Sequence, residues 1–286
     1  MKKILVMTDF SKAAKNAALS ALDMALHFHA EILLLHSYHW PQVIFFDPPL
    51  MDYKGIEKKA DARLEKEKKR LSVIMPPKKA RINIRTINTM APLSEVLYDI
   101  QQSGEIILVV MGMHKGHKSS FLFGNHVHIA LRNSNCPLLI IPNSGLQIDR
   151  CKITFASNLD KNDLLLLKAL QGMAKVFHAG ISVRYVMART GLVADFNEED
   201  HIAAFSNALS AKDELGGIGF RVLEGHSVPQ AIEADSTRSA TRLLVIVNRD
   251  HGLLHELFSA SHCHELLKTH LGSILVLPGG WAPACG

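Results

Sequence analysis

Apolar residues fall in short unbroken runs, separated by longer stretches in which they recur every three or four positions. The runs are Ile4 to Met7, Ile32 to Leu35, Ile82 to Ile87, Ile106 to Met111 and Leu138 to Ile141. They are too short for helices and barely alternate, so they predict strands buried on both faces. From Lys12 to His29 the apolar positions follow helical spacing, and Asp9-Phe10-Ser11 just before them supplies N-cap residues. Pro41 to Pro49 reads as a loop. Tyr53 to Val73 is a charged helix with Glu and Lys at i,i+4 spacing. Pro92 opens a helix that ends near Gly104, and a Gly-bearing loop from Gly112 to Gly124 leads into a helix over His126 to Arg132. Alternating strands and helices with continuously apolar strands predict an α/β fold, a doubly wound parallel sheet flanked by helices.

The same order of elements is written twice. Phe28 to Leu35, FHAEILLL, returns as FHAGISVR at Phe177 to Arg184, an offset of 177 − 28 = 149. With that offset Ile4 to Phe10 lies on Ile153 to Leu159. Further on, Ile106 to Gly112 pairs with Arg242 to Asn248, and Cys136 to Pro142 with Gly272 to Pro278, both at an offset of 242 − 106 = 136. The second copy is therefore shorter in its middle. The chain of 286 residues divides into two tandem domains, 1–146 and 147–286, each of ordinary domain size.

Composition narrows the function. Apolar residues make up 48% and charged residues 21%, which excludes disordered, collagenous and disulfide-scaffold classes. Lys and Arg exceed Asp and Glu by 32 to 27, a mild and scattered excess that calls for no nucleic acid. The basic run Lys66 to Arg70 lies in the charged helix and reads as a solvated face. Cys136, Cys151, Cys263 and Cys285 form no Cys-x-x-Cys pair, which fits free thiols in a reducing cytoplasm. No apolar run reaches the ~20 residues that cross a bilayer. The expectation is a soluble, cytoplasmic protein.

In an open parallel sheet, ligands sit beyond the carboxyl ends of the strands, where the strand order reverses. Two stretches of the first half occupy that edge: Met7-Thr8-Asp9 after the first strand, and MGMHKGHKSSFLFGN from Met111 to Asn125 after the fourth. Glycines there let the backbone approach a phosphate, and amides opening the next helix offer donors to an anion. Lys115 and Lys118 add charge. Each residue also has a plainer reading: Asp9 as a turn or cap residue, Gly112 and Gly124 as loop and cap glycines, the two lysines as solvated.

These residues resemble the universal stress protein family. The opening ILVMTDFS with its Ala-rich helix, the ILVVMGMH strand end and the FGN–NCPLLIIP closing segment are similar to that family's corresponding parts. The resemblance covers the chain as two tandem copies. It implies a five-stranded parallel sheet per domain, of adenine nucleotide α-hydrolase-like type, and a stress-response factor, many of whose relatives bind ATP after the fourth strand. By resemblance Asp9 contacts the ribose, and the backbones of Met7, Thr8, Met111 and Gly112 border the adenine and ribose. Gly116, Gly124, Asn125 and His126 line the phosphates. The family motif is Gly, two residues, Gly, nine residues, Gly, then Ser or Thr. Here three residues separate Gly112 from Gly116, seven separate Gly116 from Gly124, and Asn125 takes the hydroxyl position. The span is one residue short, which shifts the amides of a phosphate cradle.

The second half keeps less of this. Ser157-Asn158 stands for Thr8-Asp9, Asn248 for Gly112 and Ser259 for Gly124, and Asp250 brings negative charge to the loop. It is not expected to bind ATP tightly. Of the sixteen histidines, nine fall within His114 to His128 and His251 to His270, yet no His-Glu-x-x-His is present, and loop or surface histidines are the expectation over a metal site. No Gly-x-Ser-x-Gly elbow, P-loop or Rossmann fingerprint appears, and the His-x-Gly-His and Ser-Gly-Gly signatures of related catalytic folds are missing after the first strand. The protein is therefore expected to bind adenine nucleotide rather than turn it over, beyond slow ATP hydrolysis. Two alternatives stay open: a nucleotide-free protein-interaction module, and a His-rich variant that binds a metal or small ligand. The resemblance also implies that Leu138 to Ile141 and Ile274 to Leu277 pair within the chain, and it allows a homodimer.

Overall fold

A computed structural model describes residues 1–38, 53–75, 81–113, 120–146, 151–188, 198–212, 215, 217–249, 270 and 272–281, with backbone alone at 53, 120–125, 176 and 188. The chain forms two compact units, Met1–Gly145 and Leu146–Gly286.

The first unit contains β1 (Lys3–Met7), α1 (Lys12–Phe28), β2 (Glu31–Ser37), α2 (Tyr53–Ile74), β3 (Ile84–Thr89), α3 (Leu93–Gln101), β4 (Ile106–Met113), α4 (Ser120–Asn133) and β5 (Leu138–Pro142). Its strands lie in the order β3-β2-β1-β4-β5, all parallel. Ile4, Leu5 and Val6 of the central β1 are fully buried, as are Val109 and Val110 beside them. Side chains of this size each contribute ~1.5–3 kcal/mol of hydrophobic stabilisation. That burial from both faces explains why the strands read as unbroken apolar runs. Helix α1 packs through Ala13, Ala14, Ala17, Ala18, Ala21 and Ala25, all essentially buried, so small side chains bring its backbone close to the sheet.

The strands outrun the apolar runs that predict them. β2 continues through His36 and Ser37 because these pair with Asn88 and Thr89 of β3. β4 continues through Gly112 and Met113, opposite Ile141 and Pro142. β3 begins two residues later than expected, at Ile84. The largest difference is at α4, which begins at Ser120 rather than His126, so Gly124 and Asn125 lie within a helix and not in the loop before it.

The second unit contains β6 (Lys152–Ala156), α5 (Asp163–Val176), β7 (Gly180–Ala188), α6 (Glu198–Ser210), β8 (Gly219–Gly225), α7 (Val228–Ser239), β9 (Leu243–Asn248) and β10 (Ser273–Pro278). Its order, β10-β9-β6-β7-β8, is that of the first unit read strand for strand. Local details recur at the offset of 149. Phe10 and Leu159 have φ of 66° and 64°, and His29 and His178 have φ of 51° and 52°. The Thr8 amide donates to the Leu35 carbonyl at 2.8 Å, and the Ser157 amide donates to that of Arg184 at 2.8 Å. Among the described residues no helix is long and apolar enough to cross a membrane.

Candidate functional site

In the first unit β1 lies between β2 and β4, so the chain leaves β1 toward one side of the sheet and reaches β4 on the other. This is the point where strand order reverses, the place where ligands of open parallel sheets sit. Met7 and Met111 are register partners at this edge, 8% and 1% exposed.

The loop after β1 is stitched to its own backbone. Thr8 is buried; its Oγ1 accepts from the Phe10 amide at 3.0 Å. Asp9 Oδ1 accepts from the Ser11 amide at 3.0 Å, and Ser11 Oγ accepts from the Ala14 amide at 3.1 Å, capping α1. Asp9 is thus a turn former, the plainer of its two readings. The turn also fixes its carboxylate beside the first-turn amides of α1, where the helix dipole favours negative charge.

Four neighbours escape sequence reasoning. The His36 Nδ1 donates to the Thr8 carbonyl at 2.7 Å. The His36 ring lies 4.6 Å from that of Phe10 and stacks on Tyr38 at 5.7 Å. The Arg63 guanidinium from α2 stands 4.3 Å over the Phe10 ring, within cation–π range. Burial lowers the His36 pKa below its usual 6.5, and the Arg63 charge acts in the same direction; the Thr8 hydrogen bond and Asp9 oppose them. His36 is therefore neutral at pH 7, with its Nδ1 proton committed to the loop. The only sequence signal for it was its place at the end of the second apolar run.

Gly112 has a structural reason of its own. A Cβ there would stand 2.3 Å from the Ala13 carbonyl carbon, 2.4 Å from the Ala14 nitrogen and 2.7 Å from the Ala13 oxygen. Backbone cannot approach a side chain so closely, so the first turn of α1 reaches β4 only over a glycine. In the second unit Asn248 ends β9 at this register, and α5 begins at Asp163, two residues later than the offset of 149 from Lys12 requires. Met7, Thr8, Asp9, Met111 and Gly112 are brought together at one edge. Gly124, Asn125 and His126 lie on α4, and Gly116, Lys115 and Lys118 fall outside the described residues.

The equivalent edge of the second unit is filled by an arginine. Arg249, one residue beyond β9, donates from Nη1 to Asn158 Oδ1 at 2.6 Å and from Nη2 to Asp163 Oδ1. Its Nε lies 3.9 Å from Asp160 Oδ2. Asp163 is fully buried and also accepts from Ser157 Oγ at 2.6 Å. Burial pushes the Asp163 pKa up, and the Arg249 charge pulls against it. The guanidinium thus occupies Asn158, the counterpart of Asp9. The spacing of Arg249 from Asn158 along the chain hides this from the sequence. Asp250 and the loop after it lie outside the described residues.

Among the described residues no group of three or more His, Cys, Asp or Glu side chains could hold a metal ion. His114, His117, His251, His255, His262, Cys263 and His264 fall outside them.

This geometry is that of an α/β protein built on a five-stranded parallel sheet with its switch point between β1 and β4. Residues 1–142 match the model of the universal stress protein family, and the first unit is a domain of that family. The crystal structure of a universal stress protein from Archaeoglobus fulgidus DSM 4304 is similar over 96% of this chain and 96% of its own, with 16% identity and a TM-score of 0.65. A functionally unknown protein from Pseudomonas aeruginosa PAO1 is similar over 97% of this chain and 92% of its own, with 15% identity and a TM-score of 0.59. At such identities the likeness is one of fold. A comparison with curated proteins finds no match.

Proposed function

We propose that this protein is a tandem universal stress protein that binds one adenine nucleotide in its first unit and does not turn it over. The observation that carries the reading is the convergence of Met7, Thr8, Asp9, Met111 and Gly112 at the switch point of the first unit. There Asp9 Oδ1 accepts from the Ser11 amide, which holds the carboxylate at the carboxyl end of β1. In the second unit the counterpart Asn158 is bonded to Arg249. A ribose hydroxyl donates to a carboxylate such as Asp9, and the backbones of Met7, Thr8, Met111 and Gly112 border the adenine and ribose. The closing phosphate contacts fall to the segment from Gly116 to His126. The second unit is then a second domain of the same family whose pocket is self-filled.

Isothermal titration of the intact chain with ATP tests this. Saturable binding at one site per chain, weakened at least tenfold by Asp9→Ala, is expected, with ATP recovered intact by chromatography. Absence of binding, or an affinity indifferent to Asp9→Ala, would overturn it.

A further inference from the structure

The second unit carries a charged cavity whose lining shares no residue with the Arg249 cluster just described. It has a volume of about 700 Å³ and lies between β8, the outer strand of the unit, and α7. Such a volume suits a small organic ligand. Arg184, Arg221 and Arg238 contribute to its walls, with Asp235, Ser227 and Gln230.

Arg184 is the residue that the fold does not require. Its counterpart in the first unit is Leu35, at the same register beside the central strand and 1% exposed. The sheet is therefore satisfied by an apolar side chain here, yet the second unit buries a guanidinium that is 7% exposed. Burying a charge carries a large desolvation cost unless the charge is paired. Its Nε donates to Asp235 Oδ2 at 2.7 Å and its Nη1 to the Val183 carbonyl at 3.1 Å. Its Nη2 meets no acceptor among the described residues, although Arg184 lines the cavity. Arg221 is its register partner on β8 and points to the same face; its Nη1 is 3.7 Å from Asp235 Oδ1, beyond hydrogen-bond length. Arg238 uses its Nε on the Ala234 carbonyl at 3.2 Å. Glu224 also lines the cavity, beside Asp235. The lining therefore gathers three guanidinium groups against two carboxylates.

We propose that this cavity binds a small phosphomonoester, with the phosphate held by Arg184, Arg221 and Arg238. A monocarboxylate would meet the repulsion of Asp235 with a single charge. Three guanidinium groups outnumber the two carboxylates, so the cavity keeps a positive excess for a phosphate, whose three oxygens match guanidinium forks. The organic part lies along Ala231 and Ala234 toward Gln230 and Ser227, where the cavity narrows: a Cβ on Gly225 would stand 2.9 Å from that of Ala231.

The test is isothermal titration of the intact chain at low ionic strength with glycerol 3-phosphate, inorganic phosphate and glycerol. Saturable binding of glycerol 3-phosphate, weaker binding of inorganic phosphate and none of glycerol are expected. The double variant Arg221→Ala/Arg238→Ala should weaken the ester at least about tenfold, as expected for lost charged hydrogen bonds. Both side chains are exposed, so the circular dichroism spectrum should not change. Asp9→Ala should leave the ester affinity as it is, which separates this cavity from the nucleotide site of the first unit. Absence of saturable ester binding, an affinity indifferent to the double variant, or a loss caused by Asp9→Ala would each overturn the proposal.

Discussion

Replacing Gly112 with alanine separates a glycine kept for packing from one kept for a ligand. The added Cβ would meet the Ala13 carbonyl carbon at 2.3 Å and the Ala14 nitrogen at 2.4 Å. Unstrained carbon contacts lie at ~3.5 Å, so the first turn of α1 must retreat from β4 by more than ~1 Å. Neither neighbour is a flexible side-chain end; both are helix backbone, tied down by the Ser11 cap and by the buried alanine stripe. Overpacking of this kind typically costs ~1–3 kcal/mol, and a backbone obstacle puts the value at the upper end, about 3 kcal/mol. At roughly 3 °C per kcal/mol for a domain of this size, the first unit should melt about 9 °C lower. Differential scanning calorimetry of the intact chain reads the shift, and ATP titration of the same sample reads the affinity. The retreat carries Ser11 and Asp9 with it, so affinity should fall together with stability. A melting temperature within a degree of the unsubstituted protein, with affinity alone reduced, would refute the packing explanation.

Arg249→Met leaves the buried Asp163 without its cation; loss of a partner from a buried pair costs ~3 kcal/mol or more. Urea unfolding should show that loss at pH 7 and a smaller one at pH 3, below the usual carboxylate pKa, which burial of Asp163 raises. An equal loss at both pH values would count against the pair. His36→Gln tests the pH window. The folded-state pKa of His36 lies below 6.5, so its contribution is present above pH 6.5 and is lost as pH falls toward the folded value. Unfolding free energies at pH 7 and pH 5 should differ less in the variant than in the parent; an unchanged difference would remove His36 from the account. Ser11→Ala removes the α1 cap and should cost about 1 kcal/mol in the same assay, with no measurable change contradicting the capping role.

The strands were legible because burial on both faces leaves an unbroken apolar run, and the helices because α1 and α2 keep helical spacing. The repeat was legible for the same reason, and Phe10 and Leu159, one offset apart, share a left-handed backbone. What the sequence concealed depends on pairing or on distance. His36 and Ser37 belong to β2 through backbone bonds to β3, which apolarity does not report. The early start of α4 was hidden because Gly124, a residue that weakens helix interiors, was taken as the loop's end. At the site, Asp9 and the strand ends could be placed, since a turn after β1 must lie at the carboxyl edge. The reason for Gly112 could not, because it requires the position of Ala13. Arg249 and Arg184 were invisible for a similar reason: their acidic partners are distant in the chain, and an isolated arginine carries no pattern.

The most direct measurement is the stoichiometry of ATP binding to the intact chain, read by titration calorimetry beside the Asp9→Ala variant. One nucleotide per chain, lost or weakened at least tenfold in the variant, is the expected result. Two nucleotides per chain, none, or one that ignores Asp9 would contradict the proposal of one nucleotide site, in the first unit beside Asp9.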